Sequence, residues 1–174
     1  MESDRIERTM ILPAPRARVW KALSDYREFY KWFGIEFSEP FTTGARLLGK
    51  IHHPGYEHLR TEIAIERVLP ERVLSWRWHP NAIDPSRDYS AEPTTLVSFA
   101  LDDAPGGTQL TIVESGFDNI PVDRREAAYR GNEAGWDQQM QAIRQHVALA
   151  AYDAVQAADP YGIVGNYVVR RPKP

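Results

Sequence analysis

Gly135-Trp136-Asp137-Gln138-Gln139-Met140, late in the chain, is the stretch on which the fold turns. Trp136, Met140, Ile143 and Val147 stand at i, i+4, i+7 and i+11, a spacing that lines four apolar side chains along one helical face. Before this helix come Glu114-Ser115-Gly116-Phe117 and a short connection, and before those come segments that alternate with period two. These two periods predict one long amphipathic helix lying across one curved antiparallel sheet.

Working outward, Thr108 to Ser115 places Leu110, Ile112 and Glu114 on one face, and Thr94 to Leu101 groups Val97, Phe99 and Leu101. Pro105-Gly106-Gly107 supplies the hairpin between them. Arg72 to His79 carries Leu74, Trp76 and Trp78 in phase after a tight turn at Pro70-Glu71. Glu57 to Leu69 sets Leu59, Thr61, Ile63 and Ile65 against His58, Arg60, Glu62 and Glu66. Ala45 to His52 puts Leu47, Gly49 and Ile51 on one side, and Arg5 to Leu12 reads as the first strand. Pro13 and Pro15 stop that strand. Pro15 suits the first turn of a helix whose buried face is Val19, Trp20, Ala22 and Leu23. Asp25 with Glu28 has the pattern of a capping box for a second short helix ending near Trp32 and Gly34. A strand, two short helices, a meander of strands and a long helix make an α+β fold.

Composition narrows the function. The 174 residues suit one domain, expected over residues 1–152. Twenty-one basic against 24 acidic residues give a net charge of −3, so no overall positive field favours nucleic acid or an anionic membrane. The absence of cysteine excludes disulfides, thiolate nucleophiles and Cys-ligated metals. Met1-Glu2-Ser3-Asp4-Arg5 is charged, no apolar leader follows it, and no segment reaches membrane-span length, so a cytoplasmic protein is expected. Asp159-Pro160 ends any helix, and Tyr161 to Val169 is apolar with β character. The extension 153–174 is therefore expected to pack on the domain or on a second protomer, as in a homodimer.

Four blocks, in order, resemble a known family. They are Ile11 to Leu23 with Trp32-Phe33, Glu66 to Trp76, Gly106 to Phe117, and Gly135-Trp136. Together they are similar to the SRPBCC (START-like, helix-grip) superfamily, in its branch named for the activator of heat-shock-protein-90 ATPase homologue. The resemblance covers roughly residues 5–150 and implies about six or seven antiparallel strands gripping the C-terminal helix, with a cavity between them. It does not fix an activity, because the superfamily includes lipid carriers, polyketide cyclases and co-chaperone domains.

The inward set is Leu47, Ile63, Ile65, Leu74, Trp76, Trp78, Val97, Phe99, Leu110, Ile112, Trp136 and Met140, with Glu114 and Phe117 beside it. Two readings stand. These residues fill a core, each large one contributing about 1.5–3 kcal/mol on burial, or they line an apolar pocket for a small hydrophobic molecule. Glu114 is the one ionisable group on that face. It either reaches water or an arginine, or it serves as an acid or base in an enzyme of the cyclase, aromatase or hydrolase kind, with Tyr56, Tyr89 or His79 at the mouth. A protein-interaction role is the third alternative.

The leading expectation is non-enzymatic carriage of a hydrophobic ligand, with the polar loop Pro80 to Pro93 as a lid. No metal or cofactor is expected. His52 and His53 are strand neighbours that point apart, leaving with Glu57 and His58 only a weak surface arrangement. Gly135 reads as a point of close approach between helix and sheet, since glycine costs a helix about 1 kcal/mol against alanine. Arg124, Arg125 and Arg130 read as a solvated face or an interaction surface.

Overall fold

The computed structural model describes the backbone of residues 4–158, 163–164 and 167–168, and the side chains of residues 4–148. Strand β1 (Arg5–Leu12) leads into α1 (Arg16–Ser24) and α2 (Tyr26–Phe33). The meander β2 (Ile35–Glu36), β3 (Arg46–Ile51), β4 (Arg60–Leu69), β5 (Val73–Trp78), β6 (Thr95–Ala104) and β7 (Gly107–Ser115) follows. A 3-10 turn at Phe117–Asn119 then delivers the chain to α3 (Val122–Ala158). Beyond α3, β8 (Ile163–Val164) pairs with β9 (Tyr167–Val168). Helix α3 runs through residue 152 to Ala158, and the packing expected of the extension lies outside the described side chains.

The sheet has seven antiparallel strands in the order β1-β7-β6-β5-β4-β3-β2, so the first strand crosses over to pair with the last. Period two holds along it. In β7, Thr108, Leu110, Ile112 and Glu114 are buried while their neighbours are partly exposed. A register shift between Ile65 and Arg67 on β4 bends the sheet where β5 joins it, as a bulge does. Strand β4 starts at Arg60 rather than Glu57, because the chain is still turning, with the Leu59 N–H on the Tyr56 carbonyl at 2.9 Å.

The two short helices close one end. Asp25 caps α2, its side chain accepting the Arg27 N–H at 3.0 Å. The reciprocal half of the expected capping box is absent. The Asp25 N–H is already held by the Lys21 carbonyl at the end of α1, and Glu28 faces inward instead. There its carboxylate takes Arg18 from α1 and His146 from α3, the latter at 2.9 Å. One side chain thus ties all three helices together.

Between sheet and helix the space is filled. Phe29 of α2 stacks on Phe33 at 4.5 Å and meets Trp76 edge-on at 5.8 Å. Phe99 closes on Trp76 from β6 at 5.0 Å. Trp136, Met140, Ile143 and Val147 of α3 are all buried against this layer.

Candidate functional site

Free space opens at one end of this packed layer, in a cleft of about 400 Å³. Phe33 and Ile35 come from the end of α2 and from β2, Ile51, His53, Pro54 and Tyr56 from β3 and the turn after it, and Trp78 from the end of β5. Asn81 and Ile83 descend from the loop after β5, and α3 contributes Gly131, Asn132, Gly135, Trp136, Gln138 and Gln139. No aspartate, glutamate, lysine or arginine is among these lining residues.

The cleft exists because α3 is bare there. Gly131 and Gly135 lie one turn apart on one helical face. A Cβ at Gly135 would meet nothing within 4 Å, and the nearest atom to one at Gly131 would be Asn81 Oδ1, at 3.0 Å. The close approach expected at Gly135 is therefore not found. The glycine leaves room rather than admitting the sheet.

One wall is built from backbone. Gly34 ends α2 in the left-handed region at φ 80°, and a Cβ on it would lie 2.6 Å from His53 Nε2, so only glycine fits. The neighbouring Phe33 carbonyl, an unsatisfied helix-end acceptor, takes His53 Nε2 at 3.0 Å and Gln139 Nε2 at 2.9 Å. A carbonyl can only accept, so His53 must carry its proton on Nε2 in this contact.

Beneath the cleft lies Glu114, with no solvent exposure. Its Oε1 accepts Trp78 Nε1 at 2.8 Å and the Thr95 hydroxyl at 2.6 Å, and its Oε2 accepts Trp136 Nε1 at 2.6 Å. Asn132 Nδ2 bridges both oxygens at 3.0 Å. Glu114 reaches neither the surface nor an arginine: all four partners are uncharged protein donors. The three N–H groups can only donate, so each Glu114 oxygen serves them as an acceptor. Glu114 thereby sets the orientation of the two indoles and the amide that floor the cleft, and does not itself line it.

The loop over this end is clasped to α3. Arg124 donates to Glu92 and to the Pro80 carbonyl, both at 2.7 Å, with its guanidinium 4.8 Å from the Tyr89 ring centre. Arg87 bridges Glu92 and Asp123, again at 2.7 Å. Burial raises the Glu92 pKa, but hydrogen bonds and charge from Arg124 and Arg87 outweigh it and hold the carboxyl below its ordinary range. Arg87 likewise holds Asp123 low. Arg124 is thus part of the clasp, while Arg125 caps the Ile120 carbonyl and exposed Arg130 pairs with Glu126.

Of the candidate site residues read from sequence, Trp78, Trp136 and Tyr56 line the cleft, joined by Phe33, Ile51, His53 and Gly135, which the sequence marked for other reasons. Leu47, Ile63, Ile65, Leu74, Trp76, Val97, Phe99, Leu110 and Ile112 lie in the packed layer, and Met140 is buried nearer β1. Phe117 packs edge-on against Tyr129 at 5.1 Å. His79 rests on the Glu92 carbonyl at 3.1 Å, and the Tyr89 hydroxyl accepts the Asp84 N–H. His52 turns to Glu36 at 2.7 Å, away from His53. Among the described residues no group of three or more histidine or acidic side chains could hold a metal ion. His53, Asn132 and Gln139 also line the cleft, and no periodic pattern in the sequence marks them as cleft residues. The available signal was the glycine pair at 131 and 135, a gap in side-chain cover on an otherwise covered helix.

Solved structures share this architecture. DynU16, a protein in the dynemicin biosynthetic locus, aligns at a TM-score of 0.65 with 24% identity, covering 84% of this chain and 48% of its own. This chain thus spans about half the length of that protein. A Mesorhizobium loti protein, MLL2253, aligns at 0.65 with 23% identity over 83% of this chain and 96% of its own. The Aha1 dimer from Colwellia psychrerythraea aligns at 0.60 with 15% identity, over 82% and 95%. At these identities the likeness is one of fold. No curated protein matches the sequence. Among the described residues no helix is long and apolar enough to cross a membrane. Residues 13–148 match the family described as activator of Hsp90 ATPase homolog 1-like protein. With that match over most of its length and the helix-grip architecture beneath it, the chain belongs to this family.

Proposed function

We propose that the protein holds a small, mostly apolar molecule in the cleft between the end of α2, the end of β5 and the glycine face of α3. The observation that carries this is the cleft itself. Its volume of about 400 Å³ falls within the range of small-molecule sites, and aromatic and aliphatic carbon surrounds a few placed amides and one imidazole. Carriage rather than turnover is favoured because Glu114, the acid bonded to the cleft floor, has both oxygens engaged by protein donors. The reading takes the protein to act in the cytoplasm. A second copy of the chain is its proposed protein partner, by analogy with the Colwellia psychrerythraea dimer, and sedimentation equilibrium would distinguish one copy from two.

Gly135→Leu tests the site. The substitution adds a side chain where nothing lies within 4 Å, so it should occupy the cleft without disturbing the fold. Titration with neutral aromatic probes, followed by tryptophan fluorescence and native mass spectrometry, should show binding to the wild type and at least a roughly tenfold loss in the variant. Equal binding to both proteins would remove the cleft as the site.

A further inference from the structure

We infer that the occupant of the cleft is an organic cation, a protonated amine carried on a small apolar body. This rests on the ligand-holding reading above and adds the charge of the ligand to it.

Four aromatic residues, Phe33, Tyr56, Trp78 and Trp136, line the cleft. Three of them cluster, with ring centres 6.4 Å apart for Phe33 and Trp78, 5.9 Å for Phe33 and Trp136, and 5.8 Å for the two indoles. Both indole N–H groups are engaged by Glu114, so what these side chains offer a ligand is ring carbon and π density. An N–H that donates to an anion pushes electron density into its ring, and the negative ring face is what attracts a cation.

The carboxylate below reinforces this. A buried anion is costly unless something compensates it, and the partners of Glu114 are four neutral donors. No acidic or basic side chain apart from His53 lines the space above it, so its field reaches the cleft through poorly screening protein. The amides point the same way. Asn132 directs its Nδ2 to Glu114 and Gln139 its Nε2 to the Phe33 carbonyl, which leaves both amide oxygens for a ligand that donates. A carboxylate ligand such as a fatty acid meets the wrong sign of field and the wrong hydrogen-bonding groups.

Three probes of one shape and different charge test the inference: phenylbutylamine, phenylbutanol and phenylbutyrate, titrated at neutral pH and low salt by calorimetry. The amine should bind roughly tenfold more tightly than the alcohol, and the acid most weakly. Glu114→Gln should bring the amine to within about threefold of the alcohol, and the readout is this ratio, because the residue also orients the cleft floor that both probes touch. Because that variant removes a buried anchor, Tyr56→Leu supplies an independent reading at a half-exposed position, and it should narrow the amine-to-alcohol ratio in the same sense. If wild-type protein binds amine and alcohol alike, or prefers the acid, the charge inference fails while the cleft stands. If no probe binds more tightly to wild type than to Gly135→Leu, the ligand-holding reading fails with it.

Discussion

Helix α3 reaches two carboxylates from separate parts of its length, and the two are held in opposite ways. Glu28 meets His146 of α3 and Arg18 of α1, both able to carry positive charge. Glu114 meets Asn132 and Trp136 of the same helix, with Trp78 and Thr95, and every donor is neutral. Glu28 keeps 8% of its surface exposed and Glu114 none. The first is a tie between helices, closed within itself. The second rests on neutral donors beneath open space, so the same residue type ties helices in one place and orients the floor of a cleft in another.

Removing the Glu114 carboxylate should have the largest effect. Glu114→Ala leaves two indole N–H groups, a hydroxyl and an amide without their acceptor in a dry layer. It should cost about 3–5 kcal/mol in urea denaturation, since each buried orphan donor costs about 1–3 kcal/mol before any relaxation. Glu28→Gln should cost less, about 1–2 kcal/mol. Arg18 and His146 keep 23% and 19% of their side chains exposed, so water can take up what the charge releases. Equal losses in the two variants would show that neutral and charged partners hold a buried carboxylate alike.

Much of this was legible in advance. Alternation in β5, β6 and β7 located the inner face, and Trp136, Met140, Ile143 and Val147 located the helix that covers it, because both signals are local periods. Asp25 was legible as a cap for the same reason. The second half of the capping box misled: Glu28 has the right spacing from Asp25, but its partners are 10 and 118 residues away. The cleft was harder still. Alternation says which face a residue occupies and not whether the layer is filled there. Phe29 and Phe33, which pack edge-on against Trp76 there, come from a helix outside the strand pattern. The site sits where element ends meet, and Gly135 marks a gap that only neighbouring coordinates reveal.

That gap yields a smaller effect of opposite sign. Gly135→Ala places a methyl group where nothing lies within 4 Å, in helical backbone that alanine favours. It should therefore stabilise the fold by about 1 kcal/mol. It should also trim ligand affinity, the usual exchange of function for stability at a site kept open. A destabilised Ala variant would mean the bare face of α3 is packed in solution, and the open half of the comparison would go.

The loop clasp extends the contrast to a third carboxylate, with the smallest expected effect. Glu92 resembles Glu28 in having charged partners, but it holds a loop to a helix end rather than helix to helix. Its pKa is lowered because the two arginines outweigh burial, and the Asp123 value is lowered by Arg87. A carboxyl whose folded pKa lies below its unfolded one adds stability that is complete above the unfolded value, about 4.3 for glutamate. That stability is lost as the pH falls through the folded value. Wild type should therefore exceed Glu92→Gln in denaturant midpoint at neutral pH, and the difference should shrink below about pH 4. A difference that persisted unchanged into acid would mean that hydrogen bonds, not charge, close the loop. The clasp would then belong with Glu114 rather than with Glu28.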